Sequence, residues 1–114
     1  MRERAKHSAT EVVTFPIEVD ISNAPYAASW LLETLERHPQ VVIADMSLTE
    51  FCDSSGIRIL LLASKRMAEQ GTELRIALGS PRVRRTMVFA DADNMLRLYP
   101  DLEAALAGQP RRTG

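Results

Sequence analysis

Val41-Val42-Ile43-Ala44-Asp45-Met46 and, after a short spacer, Asp53-Ser54-Ser55-Gly56 running into Ile57-Arg58-Ile59-Leu60-Leu61-Leu62 decide how this chain folds. The first run is almost wholly β-branched and apolar, the pattern of a strand buried on both faces. After Gly56 the apolar residues recur at helical spacing as far as Met67, and Gly71 marks a stop, so a helix is predicted over 55–70. Asp53 to Gly56 then form a loop that opens a helix. Asp and Ser suit that place because their side-chain oxygens accept hydrogen bonds from the unpaired N–H groups of the first turn. Gly56 lets another backbone or a partner group come close. A helix start also attracts anions, so a phosphate on a serine here would sit in a favourable field.

The remaining chain alternates in the same way. A mobile leader is expected over 1–10, one domain over 11–107 and a tail over 108–114. Glu11 to Phe15 is a short strand, interrupted by Pro16. Ile17-Glu18-Val19-Asp20-Ile21 alternates apolar and polar, the mark of a half-buried strand. Ser22-Asn23 offers a cap for a helix from Ala24 to His38, with Ala27, Ala28, Trp30, Leu31 and Leu35 on its apolar side and Pro39 as its stop. Trp30 is expected to be a core residue beneath the sheet, with a partner contact as the alternative. A strand over 74–78 follows, then a helix opened by Gly79-Ser80-Pro81, a loop over 91–94, a strand over 95–98 and a last helix over 101–107.

That order is α/β: a mixed, mostly parallel sheet of about four to five strands with about four helices. The long crossovers make successive strands parallel, while the first strand or two are expected to pair antiparallel at the edge. Sites in such sheets gather at the carboxyl ends of the strands. The loops after Ile21 and after the strand at 41–46 both lie at that end, which puts Asp20 near Ser55.

Composition excludes several classes. The 114 residues are 46% hydrophobic and 25% charged, an ordinary globular balance in one domain. A net charge of −1 gives no electrostatic footprint for nucleic acid. Cys52 is the single cysteine, so neither an internal disulfide nor a zinc cluster of thiolates is available. Arg2, Arg4 and Lys6 are not followed by an apolar stretch, and no run reaches the length of a membrane span, so a cytoplasmic setting is expected. Ser55 follows a strand and opens a helix as a hydrolase serine does, but the Gly-x-Ser-x-Gly frame is missing. His7 lies in the leader and His38 at the far end of the first helix, so neither is placed as its base. Asp20, Asp45 and Asp53 without a histidine make a poor transition-metal set. No catalysis, metal or cofactor is expected.

Val42-Ile43-Ala44-Asp45-Met46-Ser47 followed by Phe51-Cys52-Asp53-Ser54-Ser55-Gly56-Ile57 resembles the strand–loop–helix signature of the STAS domains, and within them the bacterial anti-anti-sigma factors. The likeness extends from about Val12 to Ala107. It implies a protein that, unphosphorylated, binds an anti-sigma factor with serine kinase activity and frees a sigma factor. Phosphorylation would switch binding off, and a serine phosphatase would reset the switch. The second loop serine, Ser55, corresponds to the phosphoacceptor; Asp53, Ser54 and Gly56 belong to the same loop. Asp20, in Glu18-Val19-Asp20, matches an aspartate beside the acceptor, and Asp45 matches the strand aspartate. Ile57, Arg58 and Leu61 match the helix that docks on the partner, with Arg58 standing where the family often has glycine. Ser55 on residues alone is equally a helix cap. The alternative within the resemblance is a STAS subunit of a stress-sensing or lipid-transport complex, without phospho-switching.

Overall fold

The computed structural model describes residues 9–108. The run at 41–46 forms β3 (Val41–Met46), and the physical reason is visible in its neighbours. It pairs in parallel with β1 (Thr10–Thr14) on one side and with β5 (Glu73–Leu78) on the other. Beyond β5, β6 (Arg97–Tyr99) completes a four-stranded sheet in the order β1-β3-β5-β6. A central strand of this kind has helices over both faces, and so carries apolar side chains on both.

Alternate residues of β3 feed two clusters. Val42, Ala44 and Met46 join the main core. They meet Ala27 and Leu31 of α1 (Ala24–Glu33), Leu60 and Met67 of α2 (Ser54–Glu69), and Val83 and Met87 of α3 (Pro81–Phe89). Val41 and Ile43 turn the other way, with Ala77 and Tyr99, against Ala105 of α4 (Leu102–Ala107). Burial of about a dozen such side chains, each worth about 1.5–3 kcal/mol, is the main favourable term.

The antiparallel edge expected from the sequence is not formed. β1 runs parallel to β3, and β2 (Glu18–Val19) leaves the main sheet to pair in parallel with β4 (Phe51–Cys52). The chain breaks its ladder twice at the same level, at Phe15–Ile17 and at Ser47–Glu50. Pro16 has no N–H to donate, and its carbonyl instead accepts from the buried Thr49 hydroxyl at 2.8 Å. The N–H groups of Glu50 and Phe51 both donate to the Ile17 carbonyl, at 2.7 and 3.3 Å. Two parallel runs thus cross together from the main sheet into a two-stranded extension. No hairpin is required.

This extension is short, and that corrects the alternation expected over 17–21. Val19 is wholly buried, but Ile17 and Ile21 are 61% and 77% exposed. Only two residues are held in strand geometry, so the period of two lapses on either side. Trp30 is also displaced from the role expected for it. It stands 39% exposed with its ring edge-on to Phe15, while Leu31 takes the core position.

The helix expected over 24–38 is α1 followed by a 3₁₀ turn (Thr34–Arg37), closed by His38 in the left-handed region. Asn23 stands at the cap position of α1, but its side chain reaches back to the Glu18 carbonyl at 2.8 Å. Asp91, also left-handed, and a 3₁₀ turn (Ala92–Asn94) delay the last strand from Met95 to Arg97. β1 begins at Thr10, inside the expected leader, and Gly108 closes α4. The rest of the leader before Ala9, and the tail beyond Gly108, lie outside the described residues.

Candidate functional site

Val19 pairs with Cys52, so Asp20 and Asp53 leave adjacent strands at the same level. The Asp53 N–H donates to the Val19 carbonyl at 3.1 Å, which ties the two departures together. The expectation that the loop after β2 meets the loop before α2 is realised in this pair of aspartates.

Asp53 is the cap of α2. Its Oδ1 accepts from the N–H of Ser55 at 2.9 Å and of Gly56 at 3.3 Å. A carboxylate there satisfies two unpaired donors and lies in the positive field of the helix start. The helix therefore begins one residue earlier than its sequence pattern indicated, at Ser54, and neither serine serves as its cap. Among the described residues, no hydrogen bond is formed by the hydroxyl of Ser54, which is exposed, or of Ser55, which is half-buried. Both are left for other chemistry.

Gly56 is in a close approach, though to the chain itself. A Cβ on it would stand 2.5 Å from Cys52 Sγ and 2.8 Å from Val19 Cγ1. The first turn of α2 is thus pressed onto the β2–β4 pair, which fixes the loop from below. Burial pushes the Cys52 thiol up to about 12, with Asp53 adding to the shift, so it stays a protonated packing group at neutral pH.

The other residues expected at the site divide by burial. Ile57 is 5% exposed and belongs to the core, and Leu61 is half-buried against it, so both position α2. Arg58 is exposed and makes no ion pair among the described residues. Asp20 spends its carboxylate locally: Oδ1 accepts from the Ser22 hydroxyl at 2.6 Å and the Ser22 N–H at 3.0 Å. The Ser22 hydroxyl, then the Ser22 N–H, holds its pKa below the ordinary carboxylate value. Asp45 likewise holds the loop after β3, accepting from the N–H and hydroxyl of Ser47. Its role is loop geometry.

Sequence reasoning missed the apolar rim of this site. Ile17, Ile21, Leu48 and Phe51 are all more than 40% exposed around the β2–β4 extension. Their signal was present, but alternation assigned the first two to the core. It missed Gly79 as well. A Cβ there would stand 2.3 Å from the Ser47 carbonyl oxygen, so the loops after β3 and β5 touch backbone to backbone. His38 lies just before β3, at the end of that strand remote from Ser55. Among the described residues no cluster of His, Cys, Asp and Glu is arranged to hold a metal ion, and no helix is long and apolar enough to cross a membrane.

The STAS domain matches residues 3–105. The chain belongs to that family. The anti-sigma-F factor antagonist RsfB of Mycobacterium tuberculosis is 28% identical over 91% of this chain and 84% of the relative, in two strains. The crystal structure of an anti-sigma factor antagonist from Mycobacterium paratuberculosis superposes with a TM-score of 0.80 at 26% identity, covering 90% of this chain and 86% of that one. The NMR structure of the protein TM1081 has a TM-score of 0.70 at 19% identity, over 86% of this chain and 79% of that one, and supports the fold alone. The α/β reading of the sequence holds at the level of family and fold class, with the parallel pairing of β1 as its correction.

Proposed function

We propose that this STAS domain is an anti-anti-sigma factor: a regulatory binding protein that sequesters an anti-sigma factor and so frees a sigma factor. Its switch would be phosphorylation of Ser55. The observation that carries the reading is the capping of α2 by Asp53, which leaves the two serine hydroxyls without hydrogen-bond partners among the described residues at the start of that helix. The likeness to anti-sigma factor antagonists over nearly the whole chain supports it. Arg58 and the apolar rim of Ile21, Leu48 and Phe51 supply the charged and desolvating contacts that such a complex needs. A phosphate on Ser55 brings about −2 of charge beside Asp53 and Asp20 and in front of the partner. Binding is then lost by repulsion and desolvation, with no refolding.

The acceptor is tested with an anti-sigma kinase, ATP and mass spectrometry. Ser55 is expected to take the phosphate; Ser54→Ala remains a substrate and Ser55→Ala does not. Phosphate on Ser54 or Ser47 would overturn the assignment. Binding of the anti-sigma factor with no phosphorylation at all would return the chain to the interaction modules that are not switched.

Arg58 is expected to pair with the partner. At i+3 from Ser55 it shares a helical face with the acceptor, but an exposed intrahelical pair is worth only about 0.3–0.5 kcal/mol. Arg58→Ala should weaken the unphosphorylated complex by about 0.5–1 kcal/mol and flatten its salt dependence. Affinity measured at low and high salt decides it. Equal affinities and equal salt slopes would leave Arg58 merely solvated.

A further inference from the structure

Among the described residues β1 is an open edge of the main sheet: it pairs with β3 and with no other strand. The Ala9 carbonyl accepts from the Gln40 N–H at 3.1 Å, and the Phe15 N–H donates to the Asp45 carbonyl at 2.9 Å. Backbone groups in a parallel ladder face alternate sides, so Glu11 and Val13 also face β3. The N–H and C=O groups of Thr10, Val12 and Thr14 therefore point outwards. All three side chains are exposed, while those of Glu11 and Val13 are half-buried. Val12 is in register with Ile43, on the face where α4 packs against β3, β5 and β6, yet it stays 43% exposed.

We propose that β1 pairs antiparallel with β1 of a second copy, about a two-fold axis at Val12, and so joins two main sheets into one. The outward residues are a palindrome, Thr10-x-Val12-x-Thr14. About that axis Val12 meets Val12 and Thr10 meets Thr14, and each pair exchanges two backbone hydrogen bonds. Every side chain in these pairs is β-branched, the type that suits cross-strand contact. The register is singled out by its neighbours. An axis at Thr14 would set Val12 against Pro16, which has no N–H and whose carbonyl already accepts from Thr49. An axis at Thr10 would set Val12 against Ser8 and Thr14 against Lys6, and both matched pairs would be lost. Glu11 falls opposite Val13, so no like charges are opposed, and its carboxylate is paired with Arg37 at 3.0 Å. Residues 1–8 contain no β-branched residue and no Phe, Tyr or Trp, so their composition makes them a poor strand for this edge. The carboxyl ends of the two sheets point in opposite directions, and both Ser55 loops stay clear of the contact. The pairing does not depend on what binds at Ser55.

The test is disulfide capture in the full chain. Cys52 is buried and does not compete. Residues in a hydrogen-bonded antiparallel pair have Cα atoms about 5.5 Å apart, inside the disulfide range of about 4.4–6.8 Å. Val12→Cys should cross-link to itself under mild oxidation. Thr10→Cys and Thr14→Cys should cross-link at least about tenfold faster when mixed than either does alone, because only the mixture sets the two thiols opposite one another. Sedimentation equilibrium of the unaltered chain should show a reversible dimer. Val12→Lys, which opposes two like charges on the axis, should weaken it about tenfold or more. The altered side chains are exposed, so the fold is retained, and circular dichroism verifies it. A chain that is monomeric at every concentration, with no cross-link at position 12, would leave the edge to residues 1–8 or to a strand of another protein, and would overturn the proposal. Cross-linking of Thr14→Cys alone as fast as the mixture, or a dimer indifferent to Val12→Lys, would overturn it too.

Discussion

Replacing Ser55 with aspartate is expected to weaken anti-sigma factor binding by about 1–3 kcal/mol, the cost of a charge set against a desolvated surface. That is about ten- to a hundredfold in Kd. The added carboxylate stands two residues after Asp53, in a loop whose neighbouring strand leads into Asp20. The fold should not suffer. Ser55 donates only its backbone N–H to the Asp53 cap, and that bond survives the substitution. An acidic residue in the first turn is itself mildly favourable, by about 0.3–1 kcal/mol. Binding and stability are therefore expected to separate: affinity by calorimetry falls, while the urea midpoint stays within the error of wild type. Unchanged affinity would remove the electrostatic switch; a loss of both would mean that the loop had unfolded.

Gly79→Ala should act in the opposite sense, on stability first. Met46 pairs with Leu78, so Ser47 and Gly79 leave β3 and β5 side by side. A methyl group at 79 would stand 2.3 Å from the Ser47 carbonyl oxygen and 3.0 Å from its carbonyl carbon. Both are backbone atoms, and Ser47 is held in place by two hydrogen bonds to Asp45. Relief requires the whole loop to move. Overpacking of this kind costs about 1–3 kcal/mol, and a chain of this size loses roughly 4 °C of Tm per kcal/mol. The same displacement reaches Thr49, whose hydroxyl holds the Pro16 carbonyl where both strands leave the main sheet. Partner binding should weaken as well, though Gly79 touches no proposed contact. A urea midpoint equal to that of wild type would show that the two loops have more slack than the geometry allows.

The sequence by itself determined the layer architecture. The nearly unbroken apolar run at 41–46, interrupted by Asp45 alone, reads as a central parallel strand, because a strand covered on both faces has use for apolar residues at successive positions. Helical spacing and residue chemistry set the helix ends: Ser80 and Asp101 each cap with a side-chain oxygen, as local preference dictates. The strand–loop–serine motif was legible for the same reason, since its residues are neighbours in the chain. What only the tertiary structure decided are the contacts between distant stretches. Which of three adjacent polar residues caps α2 depends on where Asp53 is pulled by the Val19 carbonyl, thirty-odd residues upstream. Whether Ile17 and Ile21 are inside or outside depends on how few residues β2 can pair with β4, a quantity that alternation does not carry. The parallel course of β1 is set by the return of the chain through α1, which brings β3 alongside in the same direction, while Pro16 and the Thr49 hydroxyl mark where both strands leave the main sheet. Local patterns encode what a segment forms; pairing and close approach encode where it goes, and those are written only in residues brought together by the fold.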